Sequence, residues 1–564
     1  MGNNMNHKAK YIIIAGLGFI SCFNAKAQTK ENSGLTGVIT EINDIKPKLA
    51  DAVKIDVVQV QENIAVKKPE MTYTTESYLL PTPVYKSKMQ PAFIKSAPLP
   101  ELHKCFVEGA FGNYSNLYGE AFFNTVRNRT DLFSADLKHF SGDGPVKNSG
   151  FSDNLVDIYA SHIFNAKYDL GGDVGYERTA NRFYATLPDN LQPTNGSDSE
   201  SFNDFHAKIH FANTGADTGK LRYSLGVGYD GFSNYYKTTE SDITATLMAD
   251  EPINTNDIVL NASYDYVNYK TESSINRSLL KIDAGYRFKT GIIRSYLGFK
   301  TATNSGDLNT SSFNFYPDLN IEADIVEKYL SIFGGITGDM QKNTLRQLAY
   351  ENPFIVSAPE LRNTNDLFEL FGGLKGSFSS SSSFLVRAAY INYQNLFFYI
   401  EDTTDRRKFI PVYDNGTTRV INIHGELGWT FSENFDMNTK VDFNYYSVSN
   451  LAFGGTSLHI QKPFERPGFE WMLTGDYNIE HKIVFGGDLF FVASRSATDL
   501  SEKDITTLKP FIDLNAHVNY AFSNIPGFKV FVQLNNIFGN KYQVWENYPV
   551  RGFQIVGGAS FSFL

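Results

Sequence analysis

Apolar and polar residues alternate with a period of two in successive segments between Cys105 and Leu564. The pattern is clearest at 421–431, 435–445 and 512–522. In the last of these segments, one face carries Ile512, Leu514, Ala516, Val518, Tyr520 and Phe522. The other face carries Asp513, Asn515, His517 and Asn519. Such a period predicts β-strands whose two faces meet different surroundings, one apolar and one wet.

The length of these segments separates two all-β architectures. Strands of a soluble sandwich average about 5 or 6 residues, whereas these segments run to about 10 or more, the length that a tilted strand needs to cross a bilayer. Many of them also end in Tyr or Phe, as the aromatic girdles of membrane barrels require. We therefore favour a transmembrane barrel over a secreted sandwich.

The connections between segments fall into a short class and a long class. Short ones lie at 165–167, 290–291, 379–383, 433–434, 480–481 and 523–526, and long ones at about 179–201, 339–363, 401–416, 448–463, 496–506 and 539–550. If short turns face the periplasm, both ends of the barrel lie there. The sequence thus predicts an all-β fold over residues 104–564, an antiparallel up-and-down transmembrane β-barrel of about 22 strands. The lumen of such a barrel is normally plugged.

Residues 1–27 have the layout of a secretory signal peptide. Lys8 and Lys10 precede an apolar run from Tyr11 to Phe23, and small residues surround a cleavage position before Gln28. The run is too short for a membrane helix, which needs roughly 20 residues. A lipidated Cys22 is the alternative, but Phe19-Ile20-Ser21 is a poor approach to such a cysteine. We expect cleavage before Gln28, which leaves one cysteine and hence no internal disulfide.

Residues 28–103 form a second, different region that we expect to be extended and irregular, in the periplasm or the lumen. It holds seven of the 20 prolines, which exclude a long helix or a central strand. Its one strand-like stretch, Ile55 to Val66, could pair with the sheet edge of a periplasmic partner or lie against the barrel interior, and we favour the interior. The region is too small for a globular plug, and it is the leading candidate to fill the lumen.

Composition and charge narrow the classes of function. Phe, Tyr and Gly number 46, 32 and 44, so strand and turn formers are abundant. Mean hydropathy is −0.27, a value typical of soluble proteins. A membrane barrel can have such a value because it places apolar residues only at alternate positions of each strand. The formal charge of −10 argues against nucleic acid as a partner.

The C-terminal thirty residues resemble a known family. The run Leu534 to Tyr542, then Arg551-Gly552-Phe553 and a final strand with alternating aromatics, is similar to the closing strands of TonB-dependent receptors. The resemblance implies an outer-membrane transport receptor. The family's plug exceeds a hundred residues and does not fit here, so the entry around Leu99 to Leu102 and the strand from Cys105 look like plug-less receptor-like barrels of the Bacteroidetes.

The sequence offers no catalytic, cofactor-binding or metal-binding residues, and we expect a protein that is not an enzyme and has no cofactor. His206, Lys208 and His210 share one strand face, but alternation alone places polar side chains in a wet lumen. The acids Glu426, Asp436 and Asp442 have the same explanation, since no nucleophile motif accompanies them.

The leading hypothesis is a receptor-like barrel for transport across the outer membrane of a Gram-negative bacterium, reached by signal-peptide export. The alternative is a structural or accessory subunit of a multi-protein outer-membrane assembly, with no substrate of its own. The expected partners are outer-membrane lipid together with other outer-membrane or periplasmic proteins.

Overall fold

The computed structural model describes residues 104–125, 128, 130–187, 198–214, 220–307, 310–379, 381–432, 434–480, 482–502 and 505–563. The predictions for residues 1–27 and 28–103, including the stretch Ile55 to Val66, lie outside these residues. The described elements, in chain order, are β1 (Cys105–Gly112), β2 (Leu117–Asn124), β3 (Asp131–Gly142), β4 (Phe151–Phe164), β5 (Tyr168–Arg182), β6 (Ser199–Asn213), β7 (Arg222–Asn234), β8 (Thr239–Ile253), β9 (Asn256–Lys270), β10 (Ser274–Thr290), β11 (Ile293–Asp307), β12 (Thr310–Val326), β13 (Leu330–Gln341), α1 (Leu345–Glu351), β14 (Thr364–Ser379), β15 (Ser382–Gln394), β16 (Phe397–Glu401), β17 (Phe409–Asp414), β18 (Thr418–Ser432), β19 (Phe435–Ser447), β20 (Leu451–Phe453), β21 (Thr456–Ser457), β22 (Phe469–Ile479), β23 (Ile483–Val492), β24 (Arg495–Ala497), β25 (Thr506–Leu508), β26 (Phe511–Ala521), β27 (Phe528–Asn535), β28 (Gln543–Trp545), β29 (Tyr548–Pro549) and β30 (Gln554–Phe563).

Twenty-two of these strands form one closed antiparallel barrel. Each pairs with its neighbours along the chain, and the last strand, β30, pairs with β1 from Cys105↔Phe563 to Gly112↔Val556. The predicted fold and strand number are confirmed. The other strands lie in small sheets outside the barrel wall, the largest of them β16-β17-β20-β21.

The two ends of the barrel differ as the sequence predicted. Connections such as 165–167, 254–255 and 291–292 join strands at the end where β1 begins and β30 finishes. The connections 183–198, 342–363, 395–417, 448–468, 493–510 and 536–553 lie at the opposite end. We call these the short-turn end and the long-loop end.

The barrel wall has an apolar outer face and a polar inner face. On β26 Val518 is 38% exposed, whereas Asp513 and His517 are buried, which confirms the predicted register of this strand. Large apolar side chains are exposed on the outside along the whole circumference, and aromatic ones mark the ends of many strands at the short-turn end: Phe164, Tyr168, Phe378, Trp429, Phe431, Tyr477, Tyr520 and Phe563. This is the exterior that a lipid environment requires.

The described helix, α1, is short and lies in a long loop. The Thr344 side chain accepts a hydrogen bond from the Gln347 N–H at 3.1 Å and so caps the N-terminus. Leu345, Leu348 and Ala349 are its buried residues. Among the described residues, no helix is long and apolar enough to span a membrane.

The outer position of Val518 generates the first prediction. Replacing it with Arg places a charge on the lipid face, and we expect a loss of about 2 kcal/mol in the free energy of unfolding measured by urea titration in lipid vesicles. The control is Asn519→Arg, because Asn519 lies on the inner face of the same strand. Equal destabilisation by the two variants would contradict the assignment of faces.

Candidate functional site in the barrel mouth

Acidic side chains line the inner wall near the long-loop end. They stand on four consecutive strands, β6 to β9, and Asp230 on β7 pairs directly with Asp242 on β8. Asp204 and Glu240 are buried there, with Asp230, Asp242 and Asp265 close to fully buried. A wall of carboxylates in a partly desolvated lumen requires cationic partners.

The partners come from the loop of residues 342–363, which we call the inner loop and which folds into the mouth. The Lys342 ammonium lies 2.5 Å from both Asp242 and Asp265. The Arg346 guanidinium contacts Asp204 at 2.5 Å and Asp230 at 3.2 Å. The inner loop connects β13 to β14, so these ion pairs hold it against strands β6 to β9 elsewhere on the wall.

Hydrogen bonds and apolar contacts complete the attachment of the inner loop. Glu240 accepts the backbone N–H groups of Leu345 at 2.7 Å and Arg346 at 3.1 Å. The hydroxyl of Tyr350 donates to Asp204 at 2.8 Å. Leu345 packs in a cluster with inward-facing aromatics at the tops of the wall strands, among them Phe202. A small cavity of about 10 Å³ lies beside Lys342, against strands β9 and β10, and has about the volume that a single water molecule needs.

The attachment predicts a specific effect of removing one cation. The Arg346→Ala variant leaves Asp204 and Asp230 without their guanidinium, and we expect the inner loop to lose about 1–3 kcal/mol of protection against amide hydrogen exchange. Arg222→Ala is the control, because Arg222 pairs with Asp250 and Asp257 on the wall near the short-turn end. Unchanged exchange of residues 345–351 in Arg346→Ala would show that the ion pairs do not hold the loop.

Above the inner loop, the hairpin β16–β17 is buried on both faces. One face, with Tyr399 and Phe409, packs on the inner loop and on Trp545 and Tyr548 of the last long loop. The other face belongs to a second cluster: Phe398, Ile400, Ile410, Val412, Leu451, Leu458 and Phe464. A hairpin with no exposed face is an internal layer, and the long loops around it form what we call the cap.

Contacts between loops from distant strands tie the cap together. The ring of Phe354 in the inner loop stacks on Tyr548, with centroids 3.7 Å apart. The Thr186 N–H, after β5, donates to the Asn547 carbonyl at 2.8 Å. Asp414 at the end of β17 accepts the N–H groups of Ser449 and Asn450. The cap therefore crosses the mouth from several sides of the barrel.

A group of charged residues is buried inside the cap, outside the barrel wall. Glu401 contacts Arg406 at 3.2 Å, and Glu465 lies 3.7 Å from Arg495. Burial raises the pKa of Glu465 to about 8 against the effect of Arg495, and the neighbouring Glu546 and Glu401 add to the rise. Burial likewise raises the pKa of Glu401 to about 7. The folded cap thus favours protonated forms of these two carboxyls.

The raised pKa of Glu465 makes the cap sensitive to pH. Since the folded form keeps its proton more tightly than an unfolded carboxyl of pKa 4.5, stability is full below about pH 4.5 and falls as pH rises to about 8. We expect residues 395–414 to exchange amide hydrogens faster at pH 8.5 than at pH 6, after correction for intrinsic rates. Glu465→Gln should reduce the difference and Glu480→Gln, in an exposed turn, should not. An identical pH response in Glu465→Gln and in the unchanged protein would contradict the assignment.

Further down the lumen, glycines allow histidines to reach acids two strands away. Gly175 pairs with Asp157 on one side and His206 on the other. A Cβ at Gly175 would lie 2.2 Å from the His206 ring and 2.6 Å from Asp157, so only glycine lets the imidazole contact Asp157, at 2.9 Å. The imidazole also lies 3.3 Å from Asp173. These three have ligand atoms within 4.8 Å of one another and could hold a metal ion.

The other residues weighed from the sequence lie on the same inner face but apart. Lys208 is 4.0 Å from Asp230, and His210 is 3.5 Å from Asp169. The set of Glu426, Asp436 and Asp442 is divided: two acids flank His424, at 3.2 and 2.7 Å, whereas Asp436 accepts the Thr430 hydroxyl. His206, Lys208 and His210 therefore contact separate sets of acids, four in all, rather than one shared centre.

Comparison with known proteins gives an answer at the level of fold. No protein-family model and no curated protein matches the sequence. Among solved structures, the FrpB iron transporter of Neisseria meningitidis matches with a TM-score of 0.62 and 10% identity over 82% of both chains. The ferric enterobactin receptor of Pseudomonas aeruginosa matches with a TM-score of 0.61 and 11% identity, over 81% of this chain and 80% of its own. The ferric-catecholate import receptor Fiu of E. coli matches with a TM-score of 0.62 and 8% identity, over 82% of both chains.

This chain has the same barrel fold as these structures. The resemblance to TonB-dependent receptors that the last thirty residues indicated is thus confirmed as a likeness of fold. With about one identical residue in ten, the likeness extends no further. A long connection at about 339–363 was predicted from the sequence, but the acidic inner wall and the ion pairs that hold this loop against it were not. The signal available was the pair Lys342 and Arg346 flanking the helix cap Thr344.

Proposed function

We propose that this protein is a receptor-type barrel that takes part in transport across the outer membrane of a Gram-negative bacterium. The observation that carries the proposal is the closed 22-stranded wall with a polar lumen, built on the fold of barrels that are described as iron transporters and import receptors. Export through the signal peptide of residues 1–27 is part of the proposal. Ferric siderophores are the first substrates to test.

The cap supports a gated path rather than an open pore. A barrel of this width left open would admit bulky solutes, and the inner loop and the hairpin β16–β17 occupy its mouth. Their attachment includes ion pairs to the wall, which can be exchanged for contacts with a ligand or with water. Residues 28–103, in place of a full plug, remain our candidate for closing the lumen from the short-turn end.

Conductance in planar bilayers tests whether the chain itself closes the lumen. We expect the intact protein to show little conductance, and a variant in which residues 343–361 are replaced by a short Gly-Ser linker to show large steps. Deletion of residues 30–95 tests the second closure, and we expect it to increase the conductance of the linker variant further. Equal conductance of the intact protein and both variants would contradict a lumen closed by its own chain.

A second candidate function, a structural subunit of an outer-membrane assembly, is favoured by one observation. The cap has its own apolar clusters and buried ion pairs, so it presents a fixed surface at the long-loop end. Copurification from gentle detergent separates the two functions. Stoichiometric companion proteins would support the subunit, whereas a barrel that comes alone and changes its Trp545 fluorescence with ferric enterobactin would support transport.

A further inference from the structure

Three polar side chains form a hydrogen-bonded chain across β3 and β4. The Ser141 hydroxyl lies 3.0 Å from Nε2 of His139. The side-chain oxygen of Asn154 lies 2.8 Å from Nδ1 of the same ring. All three residues are partly exposed. A hydroxyl, an imidazole and an orienting group in this order are the parts of a nucleophilic hydrolase site, which is recognised by geometry and roles rather than by fold.

The hydrogen bonds of the Asn154 side chain indicate which nitrogen of the His139 ring carries the hydrogen. Its side-chain nitrogen faces the Arg178 carbonyl oxygen at 3.5 Å and donates to the Ser152 hydroxyl at 3.2 Å. The Asn154 oxygen therefore points at His139 and accepts a hydrogen bond from its Nδ1–H group. Nε2 is then the unprotonated nitrogen, and it accepts the hydrogen of the Ser141 hydroxyl. This is the tautomer of a general base.

The chain lies on the outer, lipid-facing side of the barrel. On β3 the alternate position Leu137 is 50% exposed, and on β4 Val156 is 42% exposed. The opposite face of β3 carries Lys138, which pairs with Glu120 inside the barrel at 3.6 Å. Because side chains alternate along a strand, His139 and Ser141 share the outer face with Leu137.

The site lies at the level where the polar and apolar parts of a lipid meet. Ser141 is the last residue but one of β3, at the long-loop end. Toward the membrane centre the same face carries Leu137, Val156 and Ile158, all exposed. On the other side of Asn154 is Arg178, its pairing partner on β5, and the exposed Arg182 lies at the end of that strand. Apolar residues below the site, and arginines on the outer face of β5 two strands from the nucleophile, match acyl chains and an anionic headgroup.

We propose that Ser141, His139 and Asn154 form a catalytic triad that hydrolyses acyl esters of outer-leaflet lipids. The substrate class is a glycerophospholipid or another anionic lipid that carries an acyl ester at the depth of Ser141. This activity goes beyond transport and does not depend on it, since the site lies outside the lumen.

The reaction balances with water as the co-reactant. The Ser141 oxygen attacks the ester carbonyl carbon while His139 takes the hydroxyl proton. The bond between that carbon and the alcohol oxygen breaks, and His139 returns the proton to the departing lysolipid. A water molecule, deprotonated by His139, then attacks the carbonyl carbon of the acyl-serine. The bond from that carbon to the Ser141 oxygen breaks, the fatty acid leaves, and the proton on His139 passes to the Ser141 oxygen and restores the hydroxyl.

Barrel pairing holds the triad in place. His139 and Ser141 are two positions apart on one strand, so both face outward, and His139 pairs directly with Asn154 on the next strand. A site on paired strands is held more precisely than one on loops. Polar side chains at the level where the polar and apolar parts of a lipid meet need only contact water and headgroups. A chain of hydrogen bonds that ends in a partly exposed hydroxyl goes beyond that requirement.

Two measurements on the full-length protein in mixed micelles test the proposal. The first is release of fatty acid from dioleoyl-phosphatidylglycerol and dioleoyl-phosphatidylethanolamine. The second is covalent labelling by a fluorophosphonate, located by mass spectrometry. We expect labelling at Ser141, and loss of hydrolysis by about a thousandfold or more in Ser141→Ala and His139→Ala. Ser134→Ala, on the inner face of the same strand, is the control, and heat-modifiable gel mobility verifies that every variant is folded.

Asn154 and Arg178 give separate readouts. Asn154 positions the base, so Asn154→Ala should lower kcat by about a hundredfold or more and Asn154→Asp should restore most of it. Arg178→Glu should raise the KM for phosphatidylglycerol more than for phosphatidylethanolamine. The proposal is overturned if the folded protein neither labels at Ser141 nor hydrolyses either lipid, or if Ser141→Ala retains the full rate.

Discussion

Closure of the sheet is the constraint on which the rest of this structure depends. In a bilayer no water pairs with backbone N–H and C=O groups, so each strand must find a partner on both sides. The pairing of β1 with β30, from Cys105↔Phe563 onward, removes the last free edge. Once the wall is closed, alternation alone divides the side chains between lipid and lumen. Both the acidic inner wall and the outer triad are consequences of that division.

The fold could be predicted from the sequence because its signal is local and repeated. Alternating segments such as 512–522 predict the strands, and the alternation of short and long connections predicts that successive strands run up and down the barrel. The cap could not be predicted in the same way. Its hairpin β16–β17 is apolar on both faces, so a period of two gives no faces to assign. Several of its contacts, such as Phe354 on Tyr548 and Thr186 on Asn547, join loops that are hundreds of residues apart, and no rule of sequence spacing predicts them.

The candidate sites were also predictable only as far as local pattern reaches. His206, Lys208 and His210 were correctly placed on one face by alternation, but their acid partners depend on register and on the bare Cα of Gly175. The pairing of His139 with Asn154 likewise depends on the length of the 143–150 connection, which sets the register of β3 against β4. A His-x-Ser sequence is too common to suggest chemistry until that register is known.

The long separation between the contacting loops of the cap also bears on how the protein is assembled. Phe354 can stack on Tyr548, and Thr186 can bond to Asn547, only after the strands that carry both partners stand in one ring. Contacts between such distant parts of a chain carry a high entropic cost and form late. The strands that carry these loops are therefore expected to pair before the mouth is covered, and folding passes through a stage in which the barrel has no cap.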